Sequence, residues 1–264
     1  MNIPMESKTY RIREFICPSD GRSLVVDASA GLSLGPLPGL EDFSGALAPL
    51  LPLADGVVTS PGQAPRLAGR TRAEAALLVR ADWTNALRGP EFVLPPTTTL
   101  RIPLLTPEEA LDLGASALVL TFLLGHTEQV EAECLRQTVQ LAIAGSQVGM
   151  PLLVDVRPLG PRVVLRAKAI QLGVSYALEG GADGVVLPWP GQPAFMQVVK
   201  MAAGIPLWIR VEGSDMEPDL LRQSLELGAA GLWLDEQVFS TPDPAGRVEK
   251  LLSLVHNGVA DSVE

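Results

Sequence analysis

Eight short apolar runs recur along the chain, and this regularity constrains the fold more than any other feature of the sequence. The runs start near residues 23, 56, 76, 117, 151, 184, 207 and 231, and one helical segment separates most neighbouring runs. Continuous apolar runs are typical of strands buried on both faces of a parallel sheet. Eight such strands alternating with helices predict an α/β fold, a single-domain (β/α)8 TIM barrel, whose usual size is about 250 residues. We assign residues 1–22 to an N-terminal lead-in and residues 23–264 to the barrel.

A doubly wound open sheet is the alternative arrangement for alternating strands and helices. That fold would place a glycine-rich phosphate-binding turn after the first strand. Residues 28–35 (ASAGLSLG) hold two glycines without the Gly-x-Gly-x-x-Gly spacing. The barrel is therefore favoured.

Local signals predict several boundaries within this pattern. Residues 106–109 (TPEE) carry the features of a helix start: a capping threonine, a proline at the first position and a glutamate at the third. The sixth apolar run follows a glycine pair that ends a helix, and the run ends at Pro188. Ser214 or Asp215 is predicted to cap the helix after the seventh run. Residues 83–103 contain four prolines and no clear period, which predicts an extended loop or an irregular hairpin.

Charge and composition exclude several classes of partner. The formal net charge is −10 and the isoelectric point is ≈ 4.8, which disfavours nucleic acid and anionic membrane surfaces because both are negatively charged. No apolar run reaches the roughly 18 residues of a membrane-spanning helix, and the first residues lack the basic and apolar regions of a secretion signal. We therefore expect a cytoplasmic protein that binds a small molecule, with no nucleic-acid or membrane partner.

Two further counts bear on disulfides and assembly. The two cysteines are too few for a disulfide framework. The mean hydropathy of +0.26 indicates apolar surface beyond the core, which predicts that copies of the chain pack against one another as a homo-oligomer. The 20 basic residues include only four lysines, which are Lys8, Lys168, Lys200 and Lys250.

The candidate functional residues follow the predicted strands, because active groups of a barrel lie at the carboxyl ends of its strands. The carboxylates there that could transfer protons, and so act in catalysis, are Asp27, Asp82 and Asp155. The groups that could bind an anionic substrate are Arg80, Arg157, Arg210 and His126. The alternative is that these arginines and carboxylates neutralise one another in ion pairs around the rim.

Three standard chemistries lack the residues they need. A metal centre requires clustered ligands, but the chain has only two histidines and no carboxylate spacing that favours magnesium, so we expect no metal and no cofactor. Serine nucleophile catalysis lacks a Gly-x-Ser-x-Gly turn. Schiff-base catalysis requires a lysine inside the barrel, whereas none of the four lysines lies on a predicted strand.

Three segments carry a resemblance to a known family. Residues 31–36 (GLSLGP), 106–117 (TPEEALDLGASA) and 179–184 (EGGADG) are similar to segments of the archaeal-type class I fructose-bisphosphate aldolases. The superfamily also contains deoxyribose-phosphate aldolase. The resemblance extends from about the first strand to the eighth, and it implies the barrel fold, a lyase ancestry and an oligomeric assembly.

The functional positions of that family are mostly replaced in this chain. The resemblance places the Lys-x-Lys motif of the sixth strand, which includes the Schiff-base lysine, at Val186 and Pro188. A tyrosine proposed as acid/base corresponds to Arg157. The other replaced positions are the acidic segment after the first strand, now Ser29-Ala30-Gly31, the phosphate-binding Gly-Arg pair, now Asp235-Glu236, and a third-strand lysine, now Arg80.

Three functional hypotheses follow from these replacements. The first is an aldolase-like barrel that has lost Schiff-base catalysis, a pseudoenzyme with a binding or assembly role. The second is a divergent enzyme that acts on a small sugar-derived or carboxylate substrate through aspartates and arginines at the barrel mouth. The third is an intact aldolase, which requires a different alignment of the sixth strand.

Overall fold

The computed structural model describes residues 3–67, 69–212 and 217–257, and it contains a closed barrel of eight parallel strands. In chain order the strands are β1 (Ser23–Asp27), β2 (Gly56–Thr59), β3 (Ala76–Arg80), β4 (Asp82–Thr84), β5 (Arg101–Pro103), β6 (Ala117–Leu123), β7 (Leu152–Arg157), β8 (Gly184–Pro188), β9 (Leu207–Val211) and β10 (Gly231–Leu234). The barrel runs β1-β2-β3-β6-β7-β8-β9-β10 and closes between β10 and β1. The predicted TIM barrel is confirmed, and the closed sheet excludes the open-sheet alternative.

Helices surround the barrel. They are α1 (Ile3–Ile12), α2 (Gly31–Leu34), α3 (Phe43–Leu47), α4 (Thr71–Glu74), α5 (Pro107–Asp112), α6 (Glu128–Val148), α7 (Arg166–Glu179), α8 (Gln192–Ala202), α9 (Pro218–Glu226) and α10 (Pro244–Asn257). Short 3-10 turns occupy Leu51–Leu53, Ala64–Leu67 and Glu236–Ser240. No helix in the described ranges is long and apolar enough to cross a membrane. The predicted caps Ser214 and Asp215 lie outside the described residues.

The helix start predicted at residues 106–109 forms as expected. Thr106 accepts a hydrogen bond from the Glu109 backbone N–H, and the Glu109 carboxylate accepts one from the Thr106 N–H, which completes a capping box. Helix α6 extends to Val148 and ends at Gly149, which is in the left-handed conformation. Glycine occupies that conformation at little steric cost, so it ends the helix.

The barrel interior is an apolar core that continues into the lead-in. Alternate residues of the strands point inward, and Trp208 and Trp233 meet there with ring centroids 6.4 Å apart. Phe15 follows α1 and packs against Trp208 at 5.8 Å, which covers the amino-terminal end of the barrel. The Lys8 ammonium also reaches Asp183 at 2.7 Å, so α1 is attached to the barrel base.

The hairpin of β4 and β5 changes the end of the third predicted strand. The strand predicted to start near residue 76 ends at Arg80, and Asp82 starts an antiparallel pair with Pro103. The reason is visible at Ala81, which still donates its N–H to Val119 of the barrel but offers its carbonyl to Leu104 of the hairpin. The chain therefore leaves the barrel at this residue, and the remainder of the predicted irregular segment is a loop between the two short strands.

Candidate functional site

Four barrel strands bring charged side chains to one layer at the carboxyl-terminal mouth. Asp27 ends β1, Arg80 ends β3, Asp155 lies near the end of β7 and Arg210 near the end of β9. Each lies two residues beyond an inward-facing core residue on its strand, so alternation aims all four side chains into the barrel. Together with Arg157 we call them the mouth cluster.

Asp155 is the centre of the mouth cluster. Its side chain is 1 % exposed, and its Oδ2 atom is close to three guanidinium groups. The distances are 3.2 Å to Nη1 of Arg80, 3.1 Å to Nε of Arg157 and 2.6 Å to Nη2 of Arg210. One carboxylate oxygen therefore connects three cations from three strands.

Asp27 is the second carboxylate of the mouth cluster, and hydrogen bonds surround it. Its Oδ2 lies 2.5 Å from Nη2 of Arg80 and accepts the indole N–H of Trp233 at 3.1 Å. Its Oδ1 accepts the Ser29 hydroxyl at 2.5 Å and the Ser29 backbone N–H at 3.0 Å. Arg80 thus bridges the two carboxylates.

The environment keeps both carboxylates ionised. Burial alone would raise the pKa of Asp155, but Arg157, Arg210 and Arg80 hold it well below its usual range. Burial would likewise raise the pKa of Asp27, but Arg80, Arg210 and the Ser29 hydrogen bonds lower it below its usual value. A group that stays ionised across the neutral range does not exchange protons readily, which weakens Asp27 and Asp155 as general acids or bases.

Arg210 is the incompletely paired member of the mouth cluster. It is 0 % exposed, and burial together with the neighbouring Arg157 cation lowers its pKa. Its Nη2 is paired with Oδ2 of Asp155 at 2.6 Å, whereas its Nε and Nη1 have no hydrogen-bond partner among the described residues. The Oδ1 atom of Asp155 also lacks a partner there. Buried polar atoms without partners are costly and often mark a site for a ligand or water.

Asp82 belongs to a separate buried group. Its Oδ2 accepts a hydrogen bond from Nε of Arg101 at 2.6 Å, and its Oδ1 accepts the Thr121 N–H at 3.1 Å. Arg101 in turn donates to Gln137 of α6 at 2.5 Å. Asp82 therefore pairs with Arg101 of the hairpin strand β5 and takes no part in the ion pairs of the mouth cluster.

The structure does not bring His126 into the mouth cluster. His126 lies in the loop between β6 and α6, where its Nδ1 is 2.9 Å from the Thr99 hydroxyl. It lines a different pocket, of about 780 Å³, between the hairpin and the start of α6. Glu212 lies two residues after Arg210 in the sequence, but its carboxylate contacts Arg166 at 2.6 Å on the surface.

Asp235 is the mouth carboxyl group with the opposite pKa shift. Burial, and then the neighbouring Glu236 carboxylate, raises the pKa of Asp235 to about 6. Its side chain caps the following 3-10 turn by accepting the Gln237 N–H at 3.1 Å. Asp235 is thus a mouth group that can change charge near neutral pH.

Side chains fill most of the space at the mouth. The cavity among Asp27, Ser29, Arg80, Asp155 and Arg157 has a volume of about 20 Å³, which is room for about one water molecule. Trp83 and Trp189 do not line this cavity, since the Trp83 ring lies under the Arg88 guanidinium and the Trp189 ring packs against Phe195. The arginines themselves occupy the mouth.

The structure locates all four lysines, because each falls within the described residues. Lys8 is held at the barrel base by Asp183. The others are exposed on the outer helices α7, α8 and α10, and they are Lys168, Lys200 and Lys250. At the sixth barrel strand, Val186 packs in the interior core, and Pro188 lies beside Arg210 in the register of β8 and β9.

Sequence reasoning missed three partners of the candidate residues. Trp233 and Thr121 point inward from strands, and alternation along those strands would have placed them at the mouth. Arg101 carried no such signal, because its position depends on the fold of the 82–103 hairpin.

Comparison with known proteins identifies the relatives of the chain. It is 27 % identical over 258 residues to a 2-amino-3,7-dideoxy-D-threo-hept-6-ulosonate synthase of Halobacterium salinarum, covering 95 % of this chain and 92 % of the relative. It is 25 % identical over 257 residues to a 3-hydroxy-5-phosphonooxypentane-2,4-dione thiolase of Shigella flexneri, covering 92 % of each. An archaeal fructose 1,6-bisphosphate aldolase superposes with a TM-score of 0.77 at 24 % identity, covering 96 % of this chain and 100 % of that one. No protein-family model matches the chain.

The first prediction concerns Asp155. The substitution Asp155→Asn leaves three arginines without their shared counter-charge. The free energy of unfolding, measured by urea denaturation near neutral pH, should therefore fall by about 3–5 kcal/mol. Because the folded pKa of Asp155 is lowered, its contribution is complete above about pH 4 and is lost at lower pH, so the two proteins should converge on acidification. Asp219→Asn, in an exposed pair, should change stability by less than about 0.5 kcal/mol. Equal effects of the two substitutions would contradict the central role of Asp155.

The second prediction concerns Asp235. Its raised pKa means that the folded state holds the proton more tightly, so stability falls as the pH rises through about 4 to 6. Asp235→Asn keeps the capping oxygen and cannot ionise. It should therefore be more stable than the parent at pH 8, by up to about 3 kcal/mol, and equally stable near pH 4. Thermal unfolding across this range measures the difference, with the exposed capping residue Asp243→Asn as the control. A pH-independent difference would count against the raised pKa.

Proposed function

Since the relatives and structural neighbours of this chain are archaeal-type fructose-bisphosphate aldolases and related enzymes, we propose that it is an aldolase-like barrel without Schiff-base catalysis that binds a small ligand at its mouth. The observation that carries the proposal is the interior of β8. At the two positions where the resemblance expects the Lys-x-Lys motif, the chain has Val186 in the apolar core and Pro188 beside Arg210. Neither side chain can form an imine.

The pairing at the mouth favours a binding role over proton-transfer catalysis. An enzyme that used Arg80 and Asp82 would need both free to meet a substrate. Arg80 is instead bound to Asp27 and Asp155, and Asp82 to Arg101. Asp27, Asp82 and Asp155 are accordingly proposed as structural counter-charges for the arginines.

The charge of the mouth cluster indicates the kind of ligand. Three arginines face two buried carboxylates, so one positive charge remains within the cluster. Among the described residues, Nε and Nη1 of Arg210 are the guanidinium nitrogens of the cluster that lack a hydrogen-bond partner. A small monocarboxylate would balance this charge and accept hydrogen bonds from guanidinium groups. Arg157, the most exposed of the three arginines, must move to admit it, because the present cavity is about 20 Å³. His126 is proposed to bind no part of this ligand, since it lies in the other pocket.

A divergent enzyme remains the second candidate, and Asp235 is the observation that favours it. Its pKa of about 6 suits a general acid or base near neutral pH. In that case a small sugar-derived or carboxylate substrate would meet Asp235 and the arginines, and activity would follow the ionisation of this single carboxyl.

We also propose a homo-oligomer. Large apolar side chains are exposed in the hairpin loop and in the loop before α7, with Val93 83 % and Val164 88 % exposed. Burial of such surface between copies would lower its contact with water. Light scattering at micromolar concentration should therefore give a mass well above the 27.9 kDa of the single chain.

The proposed function is tested by imine trapping and by titration. Borohydride treatment with fructose 1,6-bisphosphate should leave the intact mass unchanged, while an archaeal fructose-bisphosphate aldolase treated in parallel gains an adduct. Calorimetry should detect weak or no binding of the bisphosphate, because Asp235 and Glu236 add negative charge at the mouth. An adduct on any lysine, or micromolar affinity for the bisphosphate that is lost in Arg157→Ala, would overturn the proposal.

The ligand class is tested with small carboxylates. Titration with formate, acetate and pyruvate should identify at least one that binds, and Arg157→Ala should weaken its binding at least about tenfold. Arg162→Ala is the matched control, because Arg162 pairs with Glu128 on the surface. Equal binding by both variants, or no binding of any of the three, would contradict the carboxylate assignment.

A further inference from the structure

At the base of the barrel, three side chains that commonly bind metals meet on the side away from the mouth. Cys17 and Asp20 lie in the turn after α1, and His256 lies near the end of α10. Their ligand atoms all fall within 4.8 Å of one another, and Asp20 Oδ2 is 2.6 Å from Nδ1 of His256. We call these three residues the base triad. Arg22 supports the same junction by donating to the Val255 carbonyl at 2.9 Å.

A fourth residue orients the histidine. Nε2 of His256 lies 3.0 Å from Oδ2 of Asp55, and the same oxygen accepts the Leu24 backbone N–H of β1 at 2.6 Å. Asp55 therefore holds the ring with Nε2 toward its own carboxylate and Nδ1 toward the Asp20 carboxylate. Histidines that bind metals generally donate their second N–H to such a carboxylate, which fixes the tautomer that leaves the other nitrogen free to coordinate.

From this arrangement we propose that the base triad binds one divalent cation of the zinc class. Cys17 supplies a thiolate, His256 a neutral Nδ1 and Asp20 a carboxylate oxygen, and water completes a tetrahedral shell. Sulfur, imidazole and carboxylate donors suit Zn²⁺ and do not suit Mg²⁺ or Ca²⁺, which prefer oxygen alone. The base triad shares no residue with the mouth cluster. The proposed cation site is therefore independent of the function proposed for the mouth.

Access and charge both agree with cation binding. Cys17 and His256 line a cleft of about 880 Å³ at the barrel base, which gives an entry path from solvent. One thiolate and one carboxylate neutralise the two charges of the cation. The prediction of no metal site was based on the spacing of ligands along the chain. Asp20 and His256 are 236 positions apart in the sequence, so spacing could not show that they meet.

Cobalt(II) is the probe, used on the full chain after treatment with a chelator. One equivalent should produce a thiolate-to-cobalt charge-transfer band in the near ultraviolet and the intense visible bands of tetrahedral cobalt, and Zn²⁺ should displace it. Cys17→Ser should abolish the charge-transfer band, and His256→Gln should weaken binding at least about tenfold. Cys134→Ala and His126→Gln are matched controls, because they remove the other cysteine and the other histidine, and both should bind as the parent does.

A second variant separates coordination from folding. Asp55→Asn keeps all three ligands but weakens the support of His256, so it should retain the charge-transfer band and lose about 10–100-fold in affinity. Circular dichroism confirms that each variant is folded before titration. The proposal is wrong if the parent gives no charge-transfer band, if the band survives in Cys17→Ser, or if Cys134→Ala removes it.

Discussion

The removal of the Asp155 carboxylate from water is the constraint on which the barrel mouth depends. An ionised group that is 1 % exposed must be compensated inside the protein, and three arginines provide this compensation at a single oxygen. Arg80 extends the network to Asp27, which is held in turn by Ser29 and Trp233. Strands β1, β3, β7, β9 and β10 are therefore linked by one buried polar network, and the mouth is packed instead of open.

A network of buried ion pairs does not by itself show that the folded protein is stabilised. Desolvation of buried charges opposes much of their attraction, and apolar replacements of similar shape often stabilise a protein as well or better. The network is also incomplete within the described part of the chain, because Nε and Nη1 of Arg210 and Oδ1 of Asp155 have no hydrogen-bond partner there. A purely structural role would be served better by a fully paired or an apolar layer. The incomplete pairing is what favours a ligand-binding mouth among the proposals above.

The sequence predicted the fold well and the site only in part, for physical reasons. Eight apolar runs specify eight buried strands, and right-handed alternation with helices leaves few arrangements besides a barrel. Strand ends also identified Asp27, Asp155 and the three mouth arginines. Pairing was less predictable, since it depends on register and side-chain direction. Asp82 is the clearest example, because the chain leaves the barrel at Ala81 and gives this carboxylate to Arg101.

The interior of β8 and the arginines of the mouth constrain each other. Val186 is paired in register with Asp155, and Pro188 with Arg210. A lysine at either position would add a further cation beside a cluster that already has more arginines than buried carboxylates. Repulsion of that kind would either deprotonate the lysine or force an arginine away from Asp155. A cationic β8 and this arginine cluster are thus poorly compatible, so a lysine that could form an imine on this strand would require replacing at least one of the arginines together with Pro188.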